Sequence, residues 1–152
     1  MLEYLQASRL AHAVGESQML TATLSSLHLL GFTTIMGSAL VSNLRMLGLL
    51  LPEQPATDIT RPASRALAVG LMLSALTGAL LFMPRAAGAA ANPIFRLKLG
   101  LILAAALVHF GAQRRFAARA DRSQGGARVV GATGLVLWFG AAVAACAFIL
   151  IE

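Results

Sequence analysis

Charged residues are scarce in this chain of 152 residues. Asp, Glu, Lys and Arg make up 12% of it, whereas about 25% is usual in a soluble domain. The apolar share is 58% and the mean hydropathy is +0.77. A chain this small leaves about a third of its surface exposed after folding, so water cannot be kept away from so many apolar side chains. The composition excludes a water-soluble globule and a disordered chain, and it predicts a protein that lipid solvates.

Cysteine and acidic residues are also rare. The single cysteine, Cys146, excludes a disulfide scaffold within the chain. All six acidic residues lie in the termini or in predicted loops: Glu3, Glu16, Glu53, Asp58, Asp121 and Glu152. A proton relay or a cation-driven transporter is therefore disfavoured, because each needs a carboxylate within the membrane. The sequence also lacks a phosphate-binding glycine loop, a Cys-x-x-Cys pair and a His-Glu-x-x-His zinc motif, so we expect no enzyme activity.

Long apolar runs are what the chain has in abundance. A helix needs about 20 mostly apolar residues to cross the hydrocarbon core, and four runs reach or approach that length. They predict membrane-spanning helices at about 17–44, 63–84, 93–113 and 129–151. The runs are continuous, not alternating, which favours helices over strands. The predicted fold class is all-α: an integral membrane four-helix bundle that forms one transmembrane domain over residues 1–152.

The segments between these runs predict loops and one short extra helix. Residues 52–62 carry three of the five prolines and predict a polar loop. Residues 85–91 predict a loop of alanine and glycine, and residues 123–126 predict a helix break. Asn92 followed by Pro93 predicts the start of the third span. The N-terminal leader predicts an interfacial helix that places three leucines at the lipid headgroups: Leu2, Leu5 and Leu10.

Positive charges are unevenly distributed between the two sides of such a bundle. The first and third loops share one side and hold eight Lys or Arg residues, whereas the other side holds four. Because the richer side stays in the cytoplasm, both termini are predicted to be extracytoplasmic. Arginines that set the topology and contact anionic lipid headgroups account for the net charge of +6. We expect no nucleic-acid partner, because no aromatic platform or basic soluble domain accompanies the arginines.

Polar groups at membrane depth are costly and therefore mark candidate sites. Aligning the first and third spans by Arg45 and Arg114 sets a common depth scale. On this scale His28 lies level with Lys98, and His109 lies about 18 Å deeper. The positions predict two clusters. The outer cluster contains His28, Lys98 and Thr77, and the inner cluster contains Asn43, Arg45 and His109. One metal ion needs its ligand atoms about 2 Å away, so a site bridged by both histidines is disfavoured.

Packing roles are the alternative for the same residues. A lone histidine among small residues is often a packing element, and Lys98 and Arg45 are ordinary topology anchors. Trp138 is predicted to pack against another helix or a partner subunit. One stripe of the first span is predicted to face protein: His28, Gly31, Ile35, Ser38 and Ser42. Small residues of the fourth span predict a close-packing surface for a partner: Gly131, Gly134, Ala141 and Ala145.

Several of these residues occur together in a recognisable pattern: His28-Leu29-Leu30-Gly31, Asn43-Leu44-Arg45-Met46-Leu47-Gly48, Asn92-Pro93-Ile94-Phe95-Arg96-Leu97-Lys98-Leu99 and His109. From about residue 16 to residue 115 the chain resembles a family of small four-helix bacterial inner-membrane proteins of unknown function. That family commonly has Asp before the Leu-Arg pair, where this chain has Asn43, so an Asp–Arg charge relay is not expected. More distantly, the pattern is similar to four-helix b-type cytochromes and to copper-resistance D-type membrane proteins, which implies redox or copper chemistry at the histidines.

Three functional hypotheses follow. The first is an accessory or structural subunit that packs in the bilayer against a larger membrane complex concerned with electron transfer. The second is a b-type haem or quinone electron carrier in which His28 or His109 binds the cofactor, with Lys98, Arg45 and Asn43 nearby. The third is copper handling, with His28 as the metal ligand. The expected location is the bacterial inner membrane, and the expected partners are lipid and other membrane subunits.

Overall fold

Helix is the only regular structure in the part of the chain that the computed structural model describes, namely residue 4, residues 6–120 and residues 124–151. The helices are α1 (Arg9–Glu16), α2 (Gln18–Leu47), α3 (Ala56–Phe82), α4 (Ala86–Ala91), α5 (Pro93–Leu107), α6 (Arg114–Ala120) and α7 (Gln124–Ile151). A 3-10 turn at Met83–Arg85 joins α3 to α4. A π-helical turn at Val108–Gln113 joins α5 to α6.

Four helical stretches are long and apolar enough to cross a membrane, and we call them the first to fourth spans: Gln18–Leu47, Ala56–Ala91, Pro93–Ala118 and Gln124–Leu150. Each has large apolar side chains on its outer surface: Leu29 is 60% exposed, Leu76 62%, Leu103 62% and Val136 72%. Soluble monomers do not expose apolar surface on every side. The predicted all-α membrane bundle is confirmed.

The spans begin and end at residues with ordinary capping chemistry. Ser17 caps the first span through its hydroxyl, and Gly48 ends it in the left-handed region at φ 78°. At the third span, Asn92 Oδ1 accepts a hydrogen bond from the Ile94 amide at 2.9 Å, and Pro93 occupies the first helical position. The helix start predicted from Asn92 and Pro93 is therefore confirmed.

Two predicted loops are more helical than expected. The second span begins at Ala56, seven residues earlier than predicted, and Pro62 lies inside it. This proline has no N–H to donate to the carbonyl of Asp58, an exposed residue in the first turn of the helix. The loop predicted at 85–91 is mostly α4, because its many alanines have the highest helix propensity.

The break predicted at 123–126 is also wrong for the residues that can be described there. α7 already begins at Gln124, and both Gly125 and Gly126 are helical. A Cβ on Gly126 would lie 2.7 Å from the ring of Phe116, so glycine lets α6 and α7 approach each other at this point. Gly126 therefore serves close packing, and neither glycine interrupts the helix.

The leader forms the predicted short helix, α1. Ala11 and Val14 are buried on it, beside the 3-10 turn and the first and second spans. Leu10 is 61% exposed, as expected for a leucine at the lipid headgroups. Leu2 and Leu5 lie outside the described residues.

The first span is central to the packing, because it contacts both the second and the fourth, and the fourth contacts the third. The first two spans come closest at Gly31 and Gly70, where a Cβ on Gly70 would lie 2.9 Å from the Gly31 carbonyl oxygen. Side chains of all four spans form one apolar core: Ile35, Ala39, Leu67, Ala105 and Trp138. Trp138 thus packs against other helices, and the stripe predicted to face protein is buried at Gly31, Ile35 and Ser42.

The small residues of the fourth span face the bundle and do not form an outer surface. A Cβ on Gly131 would lie 2.9 Å from the Asn43 carbonyl oxygen, and a Cβ on Gly134 would overlap the Asn43 side-chain amide. Ala141 is buried and Ala145 is half-buried. The predicted partner-facing surface is wrong at these positions, because the missing side chains let the first and fourth spans pack closely.

Candidate functional site

His28 lies on the first span with its imidazole against the second. Its Nδ1 is 3.0 Å from the Thr77 hydroxyl oxygen. That hydroxyl donates its only proton to the Leu73 carbonyl oxygen at 2.7 Å, so its oxygen accepts a hydrogen bond from His28 Nδ1–H. The neutral imidazole therefore has its lone pair on Nε2. The predicted contact between His28 and Thr77 is present.

Two further residues of α3 hold this imidazole in position. A Cβ on Gly78 would lie 2.9 Å from His28 Cε1, so the ring occupies space that only glycine leaves free. The Ser74 hydroxyl donates to the His28 carbonyl oxygen at 3.4 Å. The His28 side chain is half-buried, and its Nε2 makes no hydrogen bond to the described residues. His28 therefore presents a nitrogen lone pair of fixed orientation.

Lys98 lies on the third span among aromatic rings. Its ammonium nitrogen is 5.8 Å from the ring centroid of Phe95 and 5.7 Å from that of Phe148, which are cation–π distances. Phe82 of the second span stacks on Phe95 with their centroids 5.4 Å apart. Phe82 follows Gly78, which contacts the His28 ring, by one helical turn. The residues predicted for the outer cluster therefore lie in one region, and we keep that name for His28, Thr77 and Lys98.

The two intramembrane histidines lie at different depths. His28 pairs with Thr77 and His109 pairs with Ser64, in each case at 3.0 Å. Both hydroxyl partners belong to α3 and are thirteen positions apart, which corresponds to about 20 Å along a helix. One metal ion cannot contact both imidazoles. The predicted separation into two levels agrees with this geometry.

His109 lies in the π-helical turn and is only 2% exposed. Its Nε2 is 3.0 Å from the Ser64 hydroxyl oxygen of the second span. Four positions later, Gln113 is also 2% exposed and donates from Nε2 to the Ser42 hydroxyl oxygen of the first span at 2.8 Å. A π-helical turn rotates the residues that follow it, so one helix can reach two neighbours from adjacent turns. Together these hydrogen bonds connect three spans.

Three buried polar atoms around this turn have no hydrogen-bond partner among the described residues: His109 Nδ1, Gln113 Oε1 and Trp138 Nε1. A polar group left unbonded in apolar surroundings costs about 1–3 kcal/mol. Several such groups in one place call for an explanation, which makes this region a second candidate site. We call His109, Gln113 and Trp138, with the two bonded serines, the inner cluster.

Asn43 and Arg45 do not join His109, contrary to the prediction. Asn43 donates to a carbonyl of its own helix at 2.7 Å, and its side chain packs against the fourth span. Arg45 is 5% exposed and donates to two carbonyls of the first loop, those of Pro52 (3.4 Å) and Gln54. The two residues share the depth of the inner cluster but face in other directions. Asn43 serves packing, and Arg45 fixes the loop.

Sequence reasoning misses two residues of the inner cluster, Ser64 and Gln113. Ser64 lies between Arg61 and Arg65, so the charge pattern assigns it to the membrane surface. Gln113 merely ends the third apolar run. The available signal is spacing, because Gln113 follows His109 by four positions and therefore lies near it on the helix surface.

Metal-ligand sets are not found in the described ranges, where no group of three or more His, Cys, Asp or Glu side chains is placed to hold an ion. His12 lies on exposed α1, 3.8 Å from the Glu16 carboxylate. Cys146 is exposed on the fourth span. The copper hypothesis stays a prediction.

Comparison with known proteins points to a single family. No curated protein and no solved structure matches the chain. The model of a family of unknown function, DUF6644, matches residues 1–150 and so includes both clusters. The distant similarity to cytochromes and copper-resistance proteins stays a prediction. A match over nearly the whole length shows that the chain belongs to the family of unknown function DUF6644.

Proposed function

We propose that this protein is an accessory subunit of an electron-transfer complex in the bacterial cytoplasmic membrane, and that its outer cluster binds the headgroup of a quinone or quinol. The observation that carries the binding proposal is the fixed lone pair of His28 Nε2. The His28 ring contacts Gly78, one helical turn from Phe82, and Phe82 stacks on the Phe95 ring that the Lys98 ammonium faces. With both termini extracytoplasmic, this cluster lies in the outer half of the bilayer, because His28 is nearer the N-terminal end of the first span.

The two side chains complement the two oxidation states of such a headgroup. A quinone has only acceptor oxygens, and the Lys98 ammonium offers donor hydrogens. A quinol has donor hydroxyls, and His28 Nε2 offers an acceptor. A cation at membrane depth is costly, and no carboxylate in the described part of the chain pairs with Lys98. A bound carbonyl oxygen gives the ammonium a hydrogen-bond partner.

Aromatic side chains beside Lys98 support the same ligand. Phe82, Phe95 and Phe148 form a continuous aromatic surface beside Lys98, with the centroids of Phe95 and Phe148 5.5 Å apart. Planar rings stack favourably on such surfaces.

Haem competes with quinone for the same lone pair. A haem held between both histidines is excluded, because they are separated by about 20 Å along α3. A haem with His28 as its only protein ligand remains the second candidate, since an imidazole whose Nδ1–H is hydrogen-bonded is a normal axial ligand. The visible spectrum of the purified protein separates the two candidates, because only haem has a Soret band.

Quinone binding is measured on the full-length protein in lipid nanodiscs with a short-chain ubiquinone analogue. Removing a hydrogen bond that involves a charged group costs about 1.5–3 kcal/mol, so Lys98→Met is expected to weaken binding about 10- to 100-fold. His28→Phe is expected to weaken quinol binding more than quinone binding. The matched control is His12→Phe, which removes an exposed imidazole on α1 and leaves affinity unchanged.

Two outcomes contradict the binding proposal. One is wild-type affinity in both Lys98→Met and His28→Phe. The other is a Soret band at one haem per chain in the wild type, which disappears in His28→Phe. Photo-crosslinking with an azido-quinone gives an independent readout, because labelled peptides should come from the segments around His28 and Lys98.

The accessory role is tested separately by extraction in mild detergent. We expect the protein to migrate with larger membrane subunits that carry redox cofactors. Recovery as a free monomer under every mild condition contradicts the subunit role, and it leaves the quinone measurement on the isolated protein unaffected.

A further inference from the structure

We propose that one buried water molecule binds in the inner cluster and links the third and fourth spans through His109 Nδ1, Gln113 Oε1 and Trp138 Nε1. This proposal is independent of quinone binding, because it concerns the other level of the bundle. Each of the three side chains is only 2% exposed, so neither lipid nor bulk water supplies a partner to these atoms.

The packing places the three atoms in one neighbourhood by two routes. Trp138 shares its core cluster with Ala105, and His109 follows Ala105 by one turn of the third span. On the other side, Gln113 is bonded to Ser42, which follows Ala39 of the same core cluster by three positions. Trp138 therefore packs about one helical turn from His109 on the third span and one turn from the serine that binds Gln113 on the first.

A single water molecule can form a hydrogen bond with each of the three unbonded atoms, whichever tautomer His109 adopts. Trp138 Nε1–H can only donate, and Gln113 Oε1 can only accept. If the Ser64 hydroxyl donates to His109 Nε2, then Nδ1 carries a proton, and the water accepts two hydrogen bonds and donates one. If Nε2 donates to Ser64, the water accepts one and donates two. Three hydrogen bonds are typical of a buried water.

The π-helical turn fits this arrangement. An uninterrupted α-helix has no reason to adopt such a turn in an apolar run, and π-helical turns commonly occur where side chains have a specific role. Here the turn lets His109 face Ser64 while Gln113 faces Ser42, and it leaves one atom of each side chain for the water. The water then adds the fourth span to the connection among the other three.

The test uses the fact that Trp138 is the only tryptophan in the chain, so intrinsic fluorescence reports on this one indole. An indole N–H bonded to water emits at longer wavelength than an unbonded indole in apolar surroundings. In lipid nanodiscs, His109→Phe and Gln113→Leu are each expected to shift the emission to shorter wavelength, because each removes one partner of the water. The matched control is His12→Phe, which removes an exposed imidazole on α1 and leaves the emission unchanged.

A measurement on the wild type keeps the proposal testable where a variant does not fold. Ultraviolet resonance Raman spectroscopy has an indole mode that responds to N–H hydrogen bonding, and we expect the hydrogen-bonded position. An unbonded indole in the wild type overturns the proposal. So does an emission shift in His109→Phe alone, because that result indicates a direct bond between Trp138 and His109.

Discussion

The outer and inner clusters are both built on an imidazole that is bonded to a hydroxyl of α3, yet they differ in exposure and partners. His28 of the outer cluster is half-buried, and a lysine lies in the same region. His109 of the inner cluster is 2% exposed, and its neighbours in the hydrogen-bond network are a serine and, across the turn, an amide. The same pair of an imidazole and a hydroxyl therefore has different surroundings at the two depths.

The difference lies in which atoms remain available. Thr77 fixes the proton of His28 on Nδ1 and leaves Nε2 without a hydrogen bond to the described residues. In the inner cluster the unbonded atoms are fully enclosed, so only a very small molecule can reach them. The outer cluster is accordingly the candidate binding site, and the inner cluster is a connection between helices.

Whether the outer cluster lies in the outer half of the bilayer depends on the orientation of the protein in the membrane. Labelling of introduced cysteines tests this orientation and gives the largest expected effect. In a Cys146→Ala background, Gly88→Cys is expected to react with a membrane-impermeant maleimide on intact cells. Glu53→Cys is expected to react only after the membrane is opened, because its loop lies on the side richer in arginine. The reverse pattern would place the quinone site in the cytoplasmic half of the bilayer.

Gly70→Ala is expected to disturb both clusters, because Gly70 lies between Ser64 and Thr77 on α3. A Cβ there would lie 2.9 Å from a backbone oxygen of the first span, and overpacking of this kind costs about 1–3 kcal/mol. Unfolding in detergent micelles measures the loss. The control is Gly100→Ala, whose Cβ meets no atom within 4 Å and whose helix propensity improves by about 1 kcal/mol. Equal stabilities of the two variants would contradict the close contact.

Thr77→Val separates ligand binding from stability in the outer cluster. Without the Thr77 oxygen as acceptor, the proton of His28 is free to move to Nε2, which then cannot accept a quinol hydroxyl. We expect quinol affinity to fall about tenfold, equivalent to about 1.4 kcal/mol. Ser64→Ala, the matched change in the inner cluster, should leave the affinity as in the wild type. Equal quinol affinities of the wild type, Thr77→Val and Ser64→Ala would contradict the assignment of quinol binding to the outer cluster.

Ser64→Ala and Thr77→Val should rank in the opposite order for stability. Interhelical hydrogen bonds in membranes contribute about 0.6 kcal/mol on average, and the largest contribute about 1.7 kcal/mol. We expect Ser64→Ala to cost about 1 kcal/mol, because it strands a fully buried nitrogen, and Thr77→Val to cost about half of that. Reversible unfolding in mixed micelles resolves the two values. A greater loss in Thr77→Val would show that the outer cluster is the structural one.

Much of the fold is predictable from local chemistry. The lengths of the apolar runs predict four spans, because the bilayer sets the length of a crossing helix. Asn92 and Pro93 predict a helix start, because the cap acts within one turn. Pro62 is the instructive failure: a proline in a polar segment suggests a loop, yet Pro62 lies inside α3, and the carbonyl that loses its hydrogen bond belongs to exposed Asp58.

The candidate site is predictable only in part. The common level of His28 and Thr77 follows from depth, whereas their hydrogen bond depends on how the two helices are rotated. The grouping of Asn43 and Arg45 with His109 is wrong, although the depths agree, because the three side chains point towards different neighbours. The small residues of the fourth span are misassigned for the same reason, since a stripe that permits close packing looks the same whether its partner is inside or outside the chain.

By itself, the sequence determined that the chain crosses lipid as four helices and that its two intramembrane imidazoles lie at separate depths. The depths follow because the rise per residue of a helix is constant, so a difference in sequence number gives a distance along the helix axis. Only the tertiary structure decided which side chains meet. The rotation of each helix about its axis depends on contacts along its whole length, such as Gly31 on Gly70 and Gly134 on Asn43. The π-helical turn that brings Gln113 to Ser42 likewise has no local signature.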